Sequence, residues 1–184
     1  MGPSSHSAAQ QRVIDAALGL FAEHGVNGTS LQMIADAMGV TKAAVYHQFR
    51  SKEAIVVAVA EDELARLDVA VTAAEAEPDR GRALEVLLVA IVDLAVDRRH
   101  VVSALMTDPV VARLLATHDP FPALMARVSR VLMGESPTAE DRARAAMVQA
   151  GIGGAVSQPI VGGLDDESLR AELLGLARRM YGLP

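Results

Sequence analysis

Three positions in the segment SLQMIADAMGVTKAAVYHQFR constrain this chain more than any others: Ala35, Gly39 and Val45, spaced four and six residues apart. Two helices that cross at a sharp turn need three things. They need a small residue at the crossing, a residue that tolerates a left-handed backbone in the turn, and a branched apolar residue anchoring the second helix. The spacing supplies all three and predicts a helix-turn-helix. Its second helix, residues 41–49, would present its N-terminal end to a DNA major groove. On that helix Lys42, Ala43, Tyr46 and His47 share the face opposite Val45 and Phe49. Two small alanines, Ala43 and Ala44, let the backbone approach the groove floor, and an alanine methyl suits a thymine methyl. Tyr46 and His47 carry groups that hydrogen-bond phosphates or base edges.

The rest of the chain reads as helices with the same kind of punctuation. Val13, Ile14, Ala17, Leu18 and Phe21 recur at helical spacing, and Gly25 closes that helix, followed by a VNG loop. Thr29 and Ser30 start the helix of the motif, Thr41 caps the next, and Ser51 caps a long one running to about residue 74. A charged break, EAEPDRG at 75–81, precedes a segment, 82–96, that is apolar nearly all round and should be a central buried helix. Short helices are expected at 100–107 and 109–117, and further ones at 121–133, 138–157 and 166–181. The expected fold class is all-α with about nine helices and no strand. The expected domains are a disordered arm over 1–9, a helix-turn-helix DNA-binding domain over 10–55, and a helical effector-binding and dimerisation domain over 56–184.

Charge placement agrees with that division. The net charge is −6, but residues 1–52 hold four basic and three acidic residues, while the remainder carries −7. A head of net +1 can bind DNA only with a few well-placed groups. Its lysines, Lys42 and Lys52, are the only two in the chain, and each follows a hydroxyl residue that reads as a helix cap. A cation in the first turn of a helix faces the positive end of the helix dipole. A phosphate there would remove the conflict, because exposed amides at a helix start already form an anion site. Both lysines are therefore expected at phosphates.

The block VIDAALGLFAEHGVNGTSLQMIADAMGVTKAAVYHQFRSKEAI resembles the DNA-binding domain of the tetracycline-repressor (TetR) family of bacterial transcription regulators. The likeness covers about residues 10–60. Beyond it only the all-helical architecture matches. The resemblance implies an all-α homodimer that binds a pseudo-palindromic operator and represses until a small molecule in the body changes the spacing of the two heads. Thr29, Thr41, Lys42, Tyr46, His47 and Lys52 fall at the family's DNA-contact positions, and Ala43 and Arg50 complete the expected interface, Arg50 as an added phosphate contact.

In the body, the small-residue face including Ala146, Ala150, Gly151 and Gly154, together with Leu169, Leu173 and Leu176 of the last helix, is expected to form the dimer interface. The alternative is that these stripes pack only within one subunit. Candidate ligand-lining residues are Leu87, Ile91, Leu94, Met106, Leu114, Phe121, Met125 and Met147. An aromatic content of 3% favours an aliphatic or mixed hydrophobic effector, although each of these residues also reads as ordinary core.

The sequence offers no Ser-His-Asp order, paired buried carboxylates, Gly-rich phosphate loop or Cys/His cluster, so an enzyme is not expected. No cofactor and no metal are expected either: cysteine is absent, and His100 and His118 lack ligand spacing. The Glu61-Asp62-Glu63 run reads as a solvated face. Apolar runs of about seven residues fall short of the ~20 a membrane span needs, so the expectation is a cytoplasmic protein without a membrane partner. The alternatives are a helical protein-binding adaptor, or an activator of the same fold.

Overall fold

The computed structural model describes residues 6–99, 102–103 and 109–184. Nine α-helices order these residues: α1 (Ala8–Gly28), α2 (Leu31–Met38), α3 (Lys42–Gln48), α4 (Lys52–Ala76), α5 (Arg80–Asp97), α6 (Pro109–Ala116), α7 (Phe121–Met133), α8 (Ala139–Ala155) and α9 (Asp166–Tyr181). A single 3-10 turn, Pro159–Val161, links the last two, and no strand forms among the described residues. The helix expected at 100–107 lies largely outside the described residues, as do His100 and Met106.

The helix starts follow the hydroxyl and acidic residues. The side chains of Ser30, Thr41 and Ser51 accept from the backbone N–H groups of Met33, Ala44 and Ala54, satisfying one orphan donor each. Ser7 and Gln10 form a reciprocal capping box at the start of α1. That cap places residues 8 and 9 in regular helix, where an arm was expected through residue 9. Glycine shapes the other ends. Gly39 adopts the left-handed conformation (φ 64°, ψ 31°) that lets the chain turn from α2 into α3. Gly25 (φ 71°, ψ 167°) breaks α1 into a long helix and a final turn, where the loop was expected.

Two hydrophobic cores result. The head core joins Val13, Ile14, Ala17 and Phe21 of α1 to Ile34 and Ala35 of α2, Val45 and Phe49 of the third-helix segment, and Ile55, Val56 and Val59 of α4. The body core gathers Leu64, Leu67 and Val71 of the same α4 with Leu84, Leu87, Leu88 and Val92 of α5 and with buried positions on α7, α8 and α9. The change of core therefore falls between Ala60 and Leu64, inside an unbroken helix and later than the boundary expected at residue 55.

Arginines clamp the helices together from outside. Arg127 of α7 bonds to Asp68, Thr72 and Glu75 along α4, and it holds the Glu75 carboxyl below the usual range. Arg178 of α9 grips Glu85 of α5, while Arg170 holds Asp93 at 2.7 Å and also bonds to Asp97.

Both glycine turns have open space where a side chain would go, so substitution tests backbone strain alone. At Gly25 the ψ near 167° belongs to a region essentially restricted to glycine, whereas Gly39 is in the ordinary left-handed basin. Gly25→Ala should destabilise the protein by about 2–3 kcal/mol and Gly39→Ala by about 1 kcal/mol, read by urea denaturation. Equal effects at the two sites would contradict the backbone assignment.

Candidate nucleic-acid interface

Val45, 1% exposed, and Phe49 fasten α3 to the head core, while Tyr46 and His47 between them are exposed. Thr41, Lys42, Ala43, Ala44, Tyr46 and His47 are all exposed. The seven-residue helix therefore offers one continuous polar and small-residue face, as the sequence spacing required. Arg50 extends it. Its guanidinium lies 5.4 Å from the centre of the Tyr46 ring, a cation–π contact of about 0.5–1 kcal/mol at an exposed site. Gln48 is half-buried, and its amide sits 3.3 Å from Nδ1 of His47, which restrains that ring on the exposed face.

Two expected contacts are placed differently. Thr29 is 2% exposed; its hydroxyl donates to the Gly25 carbonyl at 2.8 Å and lies 3.2 Å from the Leu20 carbonyl. The side chain closes the end of α1 inside the head and is turned away from any groove. A threonine four residues after a helix-ending glycine is a local signal for this bond, because short hydroxyl side chains reach the carbonyl four residues back. Lys52 is half-buried, and its ammonium donates to the Val26 carbonyl at 2.7 Å. It thereby serves the C-terminal end of α1, where a cation is favoured, and escapes the start of its own helix. Its neighbour Glu53 occupies that start; bonds from its own backbone N–H and from Ser51 hold its carboxyl below the usual range. The anion site expected around Lys52 is thus largely taken. Lys42 is exposed, with no partner among the described residues.

Residues 13–59 match the family description "Bacterial regulatory proteins, tetR family". The head is a tetR-family DNA-binding domain. Curated relatives agree over the same stretch. The HTH-type transcriptional repressor KstR2 of Rhodococcus jostii is 42% identical over 53 residues, 29% of this chain and 26% of that protein. The repressor AcnR of Corynebacterium efficiens is 33% identical over 58 residues, 32% of this chain and 31% of that protein. The aligned part of the chain spans about a third or less of the length of these relatives. Solved structures extend the likeness to the whole fold. The ketosteroid transcriptional regulator KstR2 of Mycobacterium tuberculosis superposes with a TM-score of 0.72 at 19% identity, covering 98% of this chain and 97% of that one. The fatty acid degradation regulator FadR of Bacillus halodurans gives 0.71 at 16%, covering 95% and 96%. At such identities the likeness concerns the fold alone.

The tetR-family head sits on a body whose expected ligand residues are scattered. Leu87 is fully buried in the body core, with Ile91, Leu94 and Met125 half-buried against it. Leu114 packs on the head core, and Phe121 touches both cores. These two therefore form part of the seam between head and body. Met147 is 65% exposed on the outer side of α8, which removes it from any interior pocket. A cleft of about 400 Å³ between α4 and α5 includes Leu94, but it is edged by Arg66, Asp93, Asp97 and Arg98. Among the described residues no group of three His, Cys, Asp or Glu is arranged to hold a metal ion, and no helix is long and apolar enough to cross a membrane.

The expected dimer residues also divide. Leu169 and Leu173 are buried in the subunit's own core. Their period on α9 was right but their side was not: they lie in the body core, and Leu176 alone of the three is exposed. Ala146, Ala150 and Gly151 are exposed on α8, and a Cβ built at Gly151 or Gly154 meets nothing within 4 Å.

Because only Lys52 is bonded into the fold, the two lysines should separate in a melting experiment. Lys52→Ala is expected to destabilise the protein by about 1 kcal/mol, and Lys42→Ala by less than about 0.5 kcal/mol. A harmless Lys52→Ala would show that the Val26 bond does not matter.

Proposed function

We propose that the protein is a dimeric DNA-binding transcriptional repressor, released from a pseudo-palindromic operator by a small apolar effector. The observation carrying this reading is the exposed face of Lys42, Ala43, Tyr46, His47 and Arg50 on a helix braced from behind by Val45 and Phe49. Thr41 stands at its leading edge, where its hydroxyl already caps the helix through Ala44. A recognition helix held this rigidly can insert as a unit, with the alanines against the bases and the cations at the flanking phosphates. KstR2 and AcnR, named as repressors, support repression as the mode of action.

The dimer is proposed to form through the outer face of α8, along Ala146, Met147, Ala150, Gly151 and Gly154, joined by Leu176 of α9. Small side chains let two such helices approach closely, and two large apolar groups left in solvent flank the stripe. The effector is proposed to be aliphatic or mixed hydrophobic, contacting Ile91, Leu94 and Met125. A structure of FadR from Bacillus subtilis with the same fold was solved in complex with stearoyl-CoA. The chain is read as cytoplasmic, with no enzymatic role.

Selection of bound sequences from random duplex DNA tests the reading directly. A symmetric consensus with half-sites about one helical turn apart, or a multiple of it, is expected; no enrichment would overturn the assignment. With the selected duplex, Lys42→Ala should lower the salt-dependence slope by about one unit per subunit. His47→Ala should shift the selected consensus more than the general affinity, and an unchanged consensus would remove His47 from base reading.

Gly154→Arg should keep the fold, since the position opens to solvent and a helical glycine is weaker than arginine by up to about 1 kcal/mol. It should nonetheless yield monomers by light scattering. A dimer of unchanged affinity would remove the α8 face from the interface.

A further inference from the structure

The ring of His47 makes a single polar contact among the described residues, and that contact decides what the ring can offer. The side-chain amide nitrogen of Gln48 lies 3.3 Å from its Nδ1. Successive residues on a helix point about 100° apart, so the pair meets only because the long glutamine side chain reaches across. Gln48 is the last residue of α3 and half-buried, next to the anchoring Phe49, while His47 is exposed. An amide nitrogen only donates, so Nδ1 must supply the lone pair. The proton of the neutral imidazole is then on Nε2. Nε2 has no protein partner among the described residues, and its side chain shares the exposed face with Lys42, Ala43 and Tyr46.

We propose that Gln48 determines DNA sequence preference through His47: it holds the imidazole in the Nε2–H tautomer, so that His47 reads a hydrogen-bond acceptor, O6 or N7 of a guanine. The inference rests on the DNA-binding reading above and deepens it. An imidazole can carry its proton on either nitrogen, and the bond made by one nitrogen sets the state of the other. In the major groove guanine presents only acceptors, N7 and O6, whereas cytosine presents the N4 donor. An Nε2–H donor therefore favours guanine over cytosine on the strand it meets, and a ring with its lone pair on Nε2 would favour the reverse. Adenine pairs an N7 acceptor with an N6 donor, which leaves it between the two. Gln48 is thus a positioning residue, acting on the base through its neighbour. A carboxylate in its place only accepts, so Gln48→Glu turns the same contact around and puts the proton on Nδ1.

Two measurements on the full chain test it, both at about pH 8.5, where imidazoles are ordinarily neutral. The first is long-range proton–nitrogen NMR of the free protein, with the His47 signals assigned by their loss in His47→Ala. It should show Nε2 protonated and Nδ1 bare; Gln48→Glu should move the proton to Nδ1, and Gln48→Met should give a mixture. The second is selection from random duplex DNA, which locates the position whose preference disappears in His47→Ala. There the unsubstituted protein should favour guanine over cytosine by about fivefold, the scale of one hydrogen bond. Gln48→Met should bring that ratio below about twofold, and Gln48→Glu should invert it, with the rest of the consensus unchanged. A Gln48 that merely supports α3 would weaken every position alike and leave the ratio as it was. A proton on Nδ1 in the unsubstituted protein, no position that responds to His47→Ala, or a ratio unmoved by Gln48→Glu each overturns the proposal. No consensus at all from the unsubstituted protein would overturn the DNA-binding reading itself, while the NMR result would still decide the tautomer.

Discussion

The structure depends on α4 being shared. One 25-residue helix, roughly 37 Å long, contributes Ile55, Val56 and Val59 to the head core and Leu64, Leu67 and Val71 to the body core. Neither core closes without it, and an uninterrupted helix does not bend easily. In the proposed function, a displacement of the body against the far half of α4 would be carried to the half that packs against α1. Leu115 and the half-buried Leu114 and Phe121 lie against the head core, so the seam has apolar contact as well as the polar contacts of His118 with Glu61 and of Gln11 with Asp62.

The choice of cation follows from where helices must be held. Fifteen of the seventeen basic residues are arginines, and those between helices use the planar fork: Arg127 spans Asp68, Thr72 and Glu75, and Arg178 meets both oxygens of Glu85. A lysine has one point charge and cannot address three acceptors spread over two turns of a neighbouring helix. Lysine appears where a single acceptor suffices, as at Val26, or where no protein partner is required, as at Lys42. Exposed ion pairs contribute little individually, but forks anchored on two or three groups fix the angle between helices, which packing of alanine and valine alone specifies poorly.

Much of this was legible because it is local. The Ala35–Gly39–Val45 spacing, the hydroxyl caps and the apolar period of each helix depend on neighbours within a few residues, and these gave the fold class and which face of α3 is exposed. What sequence could not supply was which side of a stripe is covered. Leu169, Leu173 and Leu176 share one period, yet two enter the body core and one faces solvent. Met147 looked like pocket lining but lies outside. Contacts between distant residues were equally invisible: Glu61 meets His118 across 57 residues, and Lys52 meets Val26 across 26. A run of three acids looks solvated in any one-dimensional reading, and only the tertiary fold shows it as a junction. Thr29 was read through the resemblance, which assigned a role by position, whereas the bond to Gly25 settles its direction.

The shortage of positive charge on the head gives the body's geometry its importance in the proposed function. With Lys52 bonded to Val26, the groove face keeps Lys42 and Arg50 as its exposed cations, and Arg50 also rests on Tyr46. Non-specific affinity for DNA rises with the number of phosphates neutralised, so a single head of this kind holds DNA weakly. Useful affinity then requires two heads bound at once, which makes the second contact intramolecular and dependent on the distance between them. A strongly basic head would stay on DNA through a small change in that distance. One with so few cations loses its second contact and has little electrostatic attraction to fall back on. In the proposed function, sparse charge on the head and a stiff α4 are thus complementary: a modest shift in the body would be enough to release the DNA.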